Sequence, residues 1–317
     1  MTKLSTMLLF SFQELMKKER QYEQQVQQAL LEALNEMRGE MQLIYDKFAV
    51  NGKLSLADVE KYNRYSVMEK QMLDRLLPAV KENIKTIKEF LPEQYAESFN
   101  LAHWIVDNSI GAHIGISIVS KEVLLELFSI ANKANKFYAE ALKNYPVEAQ
   151  LKLRQALLNG LQLGKSFESM SNDLKHAIDI SYNSALKIIR TEGMAALNHG
   201  ADDAYLKAMQ MGVEGSIVWS AVLDLKTRET HAAMDGKIKR EDGFFDGPGA
   251  YRAPYPGWEG LPPEERCNCR CVLMFSPAGY KPELRRTKEQ GIIEYMDYNT
   301  WLNTYHPDIA EKRAKKR

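Results

Sequence analysis

Cysteine is nearly absent from the 317 residues, and the three that occur, Cys267, Cys269 and Cys271, sit within one stretch of five. An odd count with no distant partner excludes a disulfide framework and points to a reducing compartment during assembly. An excess of charge of one sign is also lacking. Lysine plus arginine and aspartate plus glutamate number 42 each, which removes a global electrostatic case for nucleic acid or an anionic membrane as the main partner. Long hydrophobic runs are missing too. Met7 to Phe12 is too short for a signal-peptide core and leads directly into Gln13 and Glu14. Asn108 to Ser120 falls well below the ~20 residues that a spanning helix needs, so no membrane span is expected, and Gly111 and Gly115 are read as allowing close packing inside a helical core. A phosphate loop fails as well: Gly160 and Gly164, before Lys165-Ser166, are separated by three residues where four are required, and the preceding segment is helical rather than a strand.

What is present is helix. A 45% hydrophobic content can build a real core, and the length suggests two compact units or one unit with an extension. From Tyr22 through Val26, Leu30, Ala33, Met37, Met41 and Ile44 to Phe48, apolar residues recur near an eleven-residue period, which predicts a long, almost straight amphipathic helix ended by Asn51-Gly52. Ser55 with Asp58, and Ser66 with Glu69, read as capping boxes. Further helices are expected over Val67–Leu91 (stopped by Pro92), Glu93–Asp107, Lys121–Asn144 (stopped at Tyr145-Pro146), Val147–Asn159 (stopped by Gly160) and Ser171–Met211. The pattern then changes. Ile217 to Leu223 is a β-branched and apolar run that predicts a strand, Asp224 is placed to cap a short helix through His231 that ends near Asp235-Gly236, and Cys267 to Phe275 alternates as a second strand. Between them, Gly243 to Pro263 reads as a loop held by aromatic packing. The expected architecture is mainly α with a small α+β C-terminal module. Residues 1–145 form a helical arm or bundle that binds a partner, 146–276 a compact domain with a short sheet, and 277–317 an extension with a basic tail.

The chemistry is concentrated near the cysteines. In an extended strand, side chains two apart share a face, so Cys267, Cys269 and Cys271 would point the same way. Thiolates suit a tetrahedral zinc ion, with His231 as the fourth ligand and Asp235, one helical turn on, as a carboxylate that orients the imidazole or binds directly. Such a closed site would be structural. The competing reading makes Cys269 and Cys271 small core residues and pairs His231 with Asp235. A thiol nucleophile beside His231 lacks a nucleophile turn or an oxyanion loop, and Arg190 with Glu192 reads as helical ion pairing more readily than as a nucleotide-transfer site. His103, His113, His176, His199 and His306 have no clustered partners and are read as packing or surface residues. In the tail, Lys312, Arg313, Lys315, Lys316 and Arg317 offer a contact for nucleic acid, against the competing reading of a frayed solvated end.

The order of these features resembles the Mu F-like minor head morphogenesis proteins of tailed phages. It runs Ile189-Arg190-Thr191-Glu192, Ala195, Tyr205, Trp219, then Asp224 through Thr227-Arg228 to His231, Asp235-Gly236, and Asn268-Cys269-Arg270-Cys271, within Val147 to Phe275. The resemblance departs at Arg266 and Cys267, where members often carry a histidine or an aliphatic residue. It implies a non-enzymatic component of the phage head, present in few copies and assembled in the host cytoplasm. The implied partners are the portal, with scaffold or capsid proteins beside it, and the packaged genome. Two other classes compete: a toxin-like or catalytic effector using His231, Cys269 or Arg190, and a zinc module that binds DNA without sequence preference.

Overall fold

The computed structural model describes residues 3–315 apart from 61–63, most of 115–135, and 250, 281 and 288. The fold is mainly α with a small α+β part at its C-terminal side, as the sequence predicts. The helices are α1 (Lys3–Phe48), α2 (Leu56–Glu60), α3 (Tyr65–Ile110), α4 (Lys136–Gln162) and α5 (Phe167–Gln210). After them come β1 (Gly215–Ser220), α6 (Glu229–Ala232), β2 (Phe245–Asp246), β3 (Arg252–Ala253), α7 (Pro263–Arg266), β4 (Val272–Pro277), β5 (Leu284–Arg286), β6 (Ile292–Glu294), α8 (Tyr298–Tyr305) and α9 (Pro307–Ala314). Strands pair antiparallel as β1 with β4, β2 with β3 and β5 with β6, with Trp219 opposite Leu273 in the first ladder.

Two compact units interleave along the chain, one made of Met1–Lys18, Leu91–Ala134 and Arg190–Arg317, the other of Glu19–Phe90 and Asn135–Ile189. The expected boundary at 145/146 does not coincide with either. Its physical fault is that α3 and α5 each run through both units, so periodicity gives no break where the packing changes.

The all-helical unit uses the apolar stripe of α1. Val26, Leu30, Ala33, Met37 and Met41 are all buried, and the stripe closes on Tyr45 rather than Ile44. Tyr45 Oη donates to the Lys165 carbonyl at 2.8 Å. A stripe already covered within the chain is not free to dock into a partner's groove, so this segment is part of a bundle and not a bare arm. Asn51 and Gly52 end it with positive φ. The capping box at Ser55 forms as expected, Asp58 accepting from the Ser55 amide at 2.9 Å and the Asp58 amide donating to Ser55 Oγ at 3.2 Å. Ser66 caps nothing: α3 begins at Tyr65, and Glu69 pairs with Arg154.

Two expected proline stops are overridden. Pro92 lies within α3 and Pro146 within α4. An interior proline costs about 3 kcal/mol. Beside Pro92, however, Phe90, Leu91 and Tyr95 are buried, and around Pro146 so are Tyr145, Ala149 and Leu153. Each large apolar side chain contributes about 1.5–3 kcal/mol, which outweighs the local penalty. Tyr145 also accepts from Asn83 Nδ2 at 3.0 Å. Gly160, expected as a stop, lies inside α4, and the turn that ends the helix comes at Gly164, with φ +59°. Gly111 terminates α3 with φ +67° rather than packing inside a helix. Gly115 and most of the expected helix over Lys121–Asn144 lie outside the described residues.

The unit that carries β1 and β4 has one principal core. Tyr95, Phe99 and Val106 of α3 and Ala201, Ala204 and Tyr205 of α5 pack with Ile217, Trp219, Phe245, Leu273 and Phe275. Close approach of the two helices depends on Gly200, where a Cβ would stand 2.3 Å from the Tyr95 carbonyl oxygen. Ser98 Oγ donates to the Leu197 carbonyl at 2.6 Å across the same contact. The extension after β4 adds a satellite core of Leu223, Ala232, Tyr298, Trp301 and Leu302. Among the described residues no helix is long and apolar enough to cross a membrane.

His103 is expected to make this unit sensitive to mild acid. The ring is buried against Phe99, with centroids 4.8 Å apart, and neither ring nitrogen has a hydrogen-bond partner. Burial first, then the nearby Lys207 charge, push its pKa down to about 4, against a weaker opposing effect of Asp107. The unfolded chain takes up this proton near pH 6.5 and the folded chain does not, so stability falls as pH drops from about 6.5 towards 4. Thermal melts of the wild type and of His103→Phe across that window check this, and the variant is expected to lose part of the acid sensitivity.

Candidate functional site

The cysteine-bearing segment is not a strand. β4 starts at Val272, so all three thiols precede it. Cys267 closes the short helix α7, Asn268 adopts a left-handed turn with φ +54°, and the chain then presents Cys269 and Cys271 to the interior. Strand alternation therefore does not bring the three thiols to one face. Cys269 and Cys271 are each 2% exposed, whereas Cys267 is half-buried and offers its carbonyl to Arg228.

α5 holds this turn in place. Thr191 Oγ1 accepts from the Asn268 amide at 3.1 Å. Glu192 forms a buried ion pair with Arg266, whose Nε donates to the Gly257 carbonyl at 3.1 Å. About two turns on, Asn198 Nδ2 donates to the carbonyls of Cys271 at 2.9 Å and Pro256 at 3.2 Å, while its Oδ1 accepts from the Leu273 amide at 3.0 Å. Asn198 was not singled out from sequence. Its signal was a fully buried amide in the run Ala195, Ala196, Leu197, Ala201, where a polar side chain must find partners.

His231, buried on α6, meets the thiols through one ring nitrogen. Its Nδ1 lies 3.3 Å from Cys271 Sγ and 3.6 Å from Cys269 Sγ. All three ligand-type atoms fall within 4.8 Å of one another. On the far side, Nε2 is 3.0 Å from Glu265 Oε2, an ion-pair distance without the alignment of a hydrogen bond. Glu265 is itself oriented by Thr230 Oγ1 at 2.8 Å. The Cys271 thiol's hydrogen bond and the adjacent His231 overcome burial and hold Cys269 well below the ordinary thiol range. Its thiolate, together with burial, pushes Cys271 well above it. Burial works to lower His231, but Cys269 and Glu265 outweigh it and the imidazole is raised.

Aromatic rings wall this cluster. Trp219 is fully buried, 5.3 Å from the Phe245 ring, and both Trp219 and Tyr251 set their rings edge-on to His231, at 6.4 and 6.1 Å. The Trp219 indole N–H faces Cys271, and the Tyr251 hydroxyl is buried without a hydrogen-bond partner. Burial and then the charges of Cys269 and Cys271 push the Tyr251 hydroxyl far above the usual tyrosine range.

Two candidates from sequence lie elsewhere. Asp235 does not reach His231: its carboxylate accepts from the Ala221 amide at 2.8 Å and the Tyr298 amide at 2.7 Å, and both oxygens sit 2.7 Å from the Arg285 guanidinium. Asp224 does not cap α6, whose first turn follows Arg228. It accepts instead from the Lys226 amide and Thr227 Oγ1, and pairs with Arg270 at 3.0 Å. Arg190 is exposed on α5, whereas His231 and Cys269 are buried. In the tail, α9 is ordered to Ala314. There Arg313 turns back to Tyr298 Oη at 3.2 Å, Lys315 pairs with Glu311 at 2.6 Å and Lys312 is exposed, while Lys316 and Arg317 lie outside the described residues.

Residues 151–274, the segment that contains α5, β1, His231 and the cysteine turn, match the family model described as phage Mu protein F like protein. Over 298 residues the chain is 27% identical to minor head protein GP7 of Bacillus phage SPP1, covering 89% of this chain and 92% of that protein. The chain resembles the Mu F-like minor head proteins over this segment. A second relative, the NAD(+)–arginine ADP-ribosyltransferase EFV of Enterococcus faecalis, is 27% identical over 232 residues, 73% of this chain but only 46% of that protein. No solved structure matches. Within the Mu F-like segment, the Thr191-Glu192 pair and the Asn-Cys-Arg-Cys turn are two halves of one contact.

Proposed function

We propose that this chain is a minor component of a tailed-phage head, carried in the virion, that associates with the portal during assembly and has no catalytic activity of its own. The supporting observation is the nearly end-to-end match to a minor head protein, which leaves little of either chain outside the alignment. The buried state of the His231 cluster agrees with a structural module, since a group acting on a host molecule must be reached by it.

Portal association is tested by co-expressing the full chain with the portal protein encoded in the same genome and purifying through the portal. Co-purification of the two is expected; a portal recovered without this chain, both from co-expression and from procapsids, would overturn the association. Truncation at residue 145 is unsuitable because it removes Tyr95, Phe99 and Val106 from the core that they share with β1 and β4.

The second relative favours an effector reading, and the transferase named there is a property of that protein. Incubating the pure chain with labelled NAD and arginine-bearing acceptor proteins separates the two. No transfer is expected, and transfer lost on His231→Ala or Arg190→Ala would establish the effector.

A further inference from the structure

We propose that His231, Cys269 and Cys271 bind one structural zinc ion, through Nδ1 and two thiolates, with Cys267 outside the site and the Tyr251 hydroxyl bordering the fourth position. The argument begins with distance. Zinc bonds of about 2.3 Å to sulfur and 2.0–2.1 Å to nitrogen, at the tetrahedral angle, separate the nitrogen from each sulfur by about 3.6 Å. Nδ1 stands 3.3 and 3.6 Å from the two thiols. One ring nitrogen has one lone pair or one proton and can serve only one thiol as a hydrogen-bond partner. Close approach of one nitrogen to both sulfurs is what a shared ion requires.

The far side of the ring agrees. A carboxylate beside Nε2 favours the proton there and leaves the Nδ1 lone pair for a metal, the usual arrangement of a carboxylate behind a ligating histidine. Thr230 fixes that carboxylate in place. Independent support comes from the donors around the site. The Tyr251 residue is nine-tenths buried, its hydroxyl has no partner, and it lies within the field of both thiols. The Trp219 N–H faces Cys271 as a donor. A metal-bound thiolate at Cys271 accepts from a neighbouring donor far better than a neutral thiol does, and a polar position opposite the three ligands gives the Tyr251 hydroxyl a role.

Burial makes the ion structural. With His231, Cys269 and Cys271 each 2% exposed, no substrate reaches it. It would tie α6 to the turn after α7, two short elements with little core of their own.

The test is elemental analysis of the full-length protein, purified without a metal-affinity step, together with thiol titration. About one zinc per chain is expected in the wild type and in Cys267→Ser, with at least a tenfold loss in Cys271→Ser and His231→Gln. Because these variants could misfold, the wild type is also titrated with a mercurial, which should release zinc in step with the buried thiols. Cobalt exchanged into the wild type should then give the charge-transfer band of a dithiolate site. Metal-free wild type with three free thiols, a Cys269–Cys271 disulfide, or zinc lost equally in Cys267→Ser would each overturn the proposal.

Discussion

Asp235→Ala is expected to destabilise the unit that carries β1 and β4 by about 3–5 kcal/mol, the range for breaking a buried ion pair by removing one partner. The side chain is 1% exposed and its Arg285 partner 8%. Both oxygens are taken by the guanidinium, and each also accepts from a backbone amide, that of Ala221 or Tyr298. Alanine leaves a buried cation and two orphaned donors, and the cost of these unsatisfied groups, about 1–3 kcal/mol each, is what places the effect in that range. Since Ala221 follows β1 and Tyr298 opens α8, the damage should appear first as loss of the extension. Limited proteolysis should cut after Pro277 in the variant and spare the wild type, and chemical denaturation should give the size of the effect. A change below about 1 kcal/mol would show that Asp235 is not the anchor described. Zinc content should persist wherever the variant remains folded, which separates this carboxylate from the ligand role that its spacing from His231 suggests.

Glu192→Ala is expected to cost a similar amount, about 3–5 kcal/mol, because it strands Arg266 in the interior. The two side chains are 6% and 4% exposed. A paired replacement, Glu192→Met with Arg266→Met, should recover most of the loss, since apolar residues of similar volume often replace a buried pair at little cost. The comparison has a second readout. Arg266 precedes the cysteine turn and also holds the Gly257 carbonyl, so the single variant should expose the buried thiols to a titrating reagent faster than the double variant does. Equal rates in both would mean that the ion pair does not hold the turn.

The sequence made the elements legible but not their stops. The stripe of α1, the Ser55 capping box, the long α5 and the strand around Trp219 are local patterns, and each is present. Pro92, Pro146 and Gly160 failed as terminators because burial of their neighbours decides the matter, and burial is a property of distant segments. The same reason hid the interleaved units, since α3 and α5 carry unbroken periodicity through the points where their packing partners change.

In the site, His231, Cys269 and Cys271 were legible as chemistry, because thiols and an imidazole are rare enough to stand out. Their geometry was not. The alternation of Cys267, Cys269 and Cys271 suggested a strand face, yet left-handed Asn268 breaks it and sends Cys267 elsewhere. Asp235 sits four residues from His231, but α6 ends at Ala232, so the helical spacing that would have joined them does not exist. Asn198, the residue that clamps the turn to α5, carries no chemistry that a motif scan rewards.

Similarity to a minor head protein makes the place of this chain in the particle the central claim. Quantitative mass spectrometry of purified heads from the encoding phage tests it most directly. The account predicts this chain in the particle at a small fraction of the major capsid protein. Its absence from heads, with the protein recovered only in the soluble lysate, would contradict it.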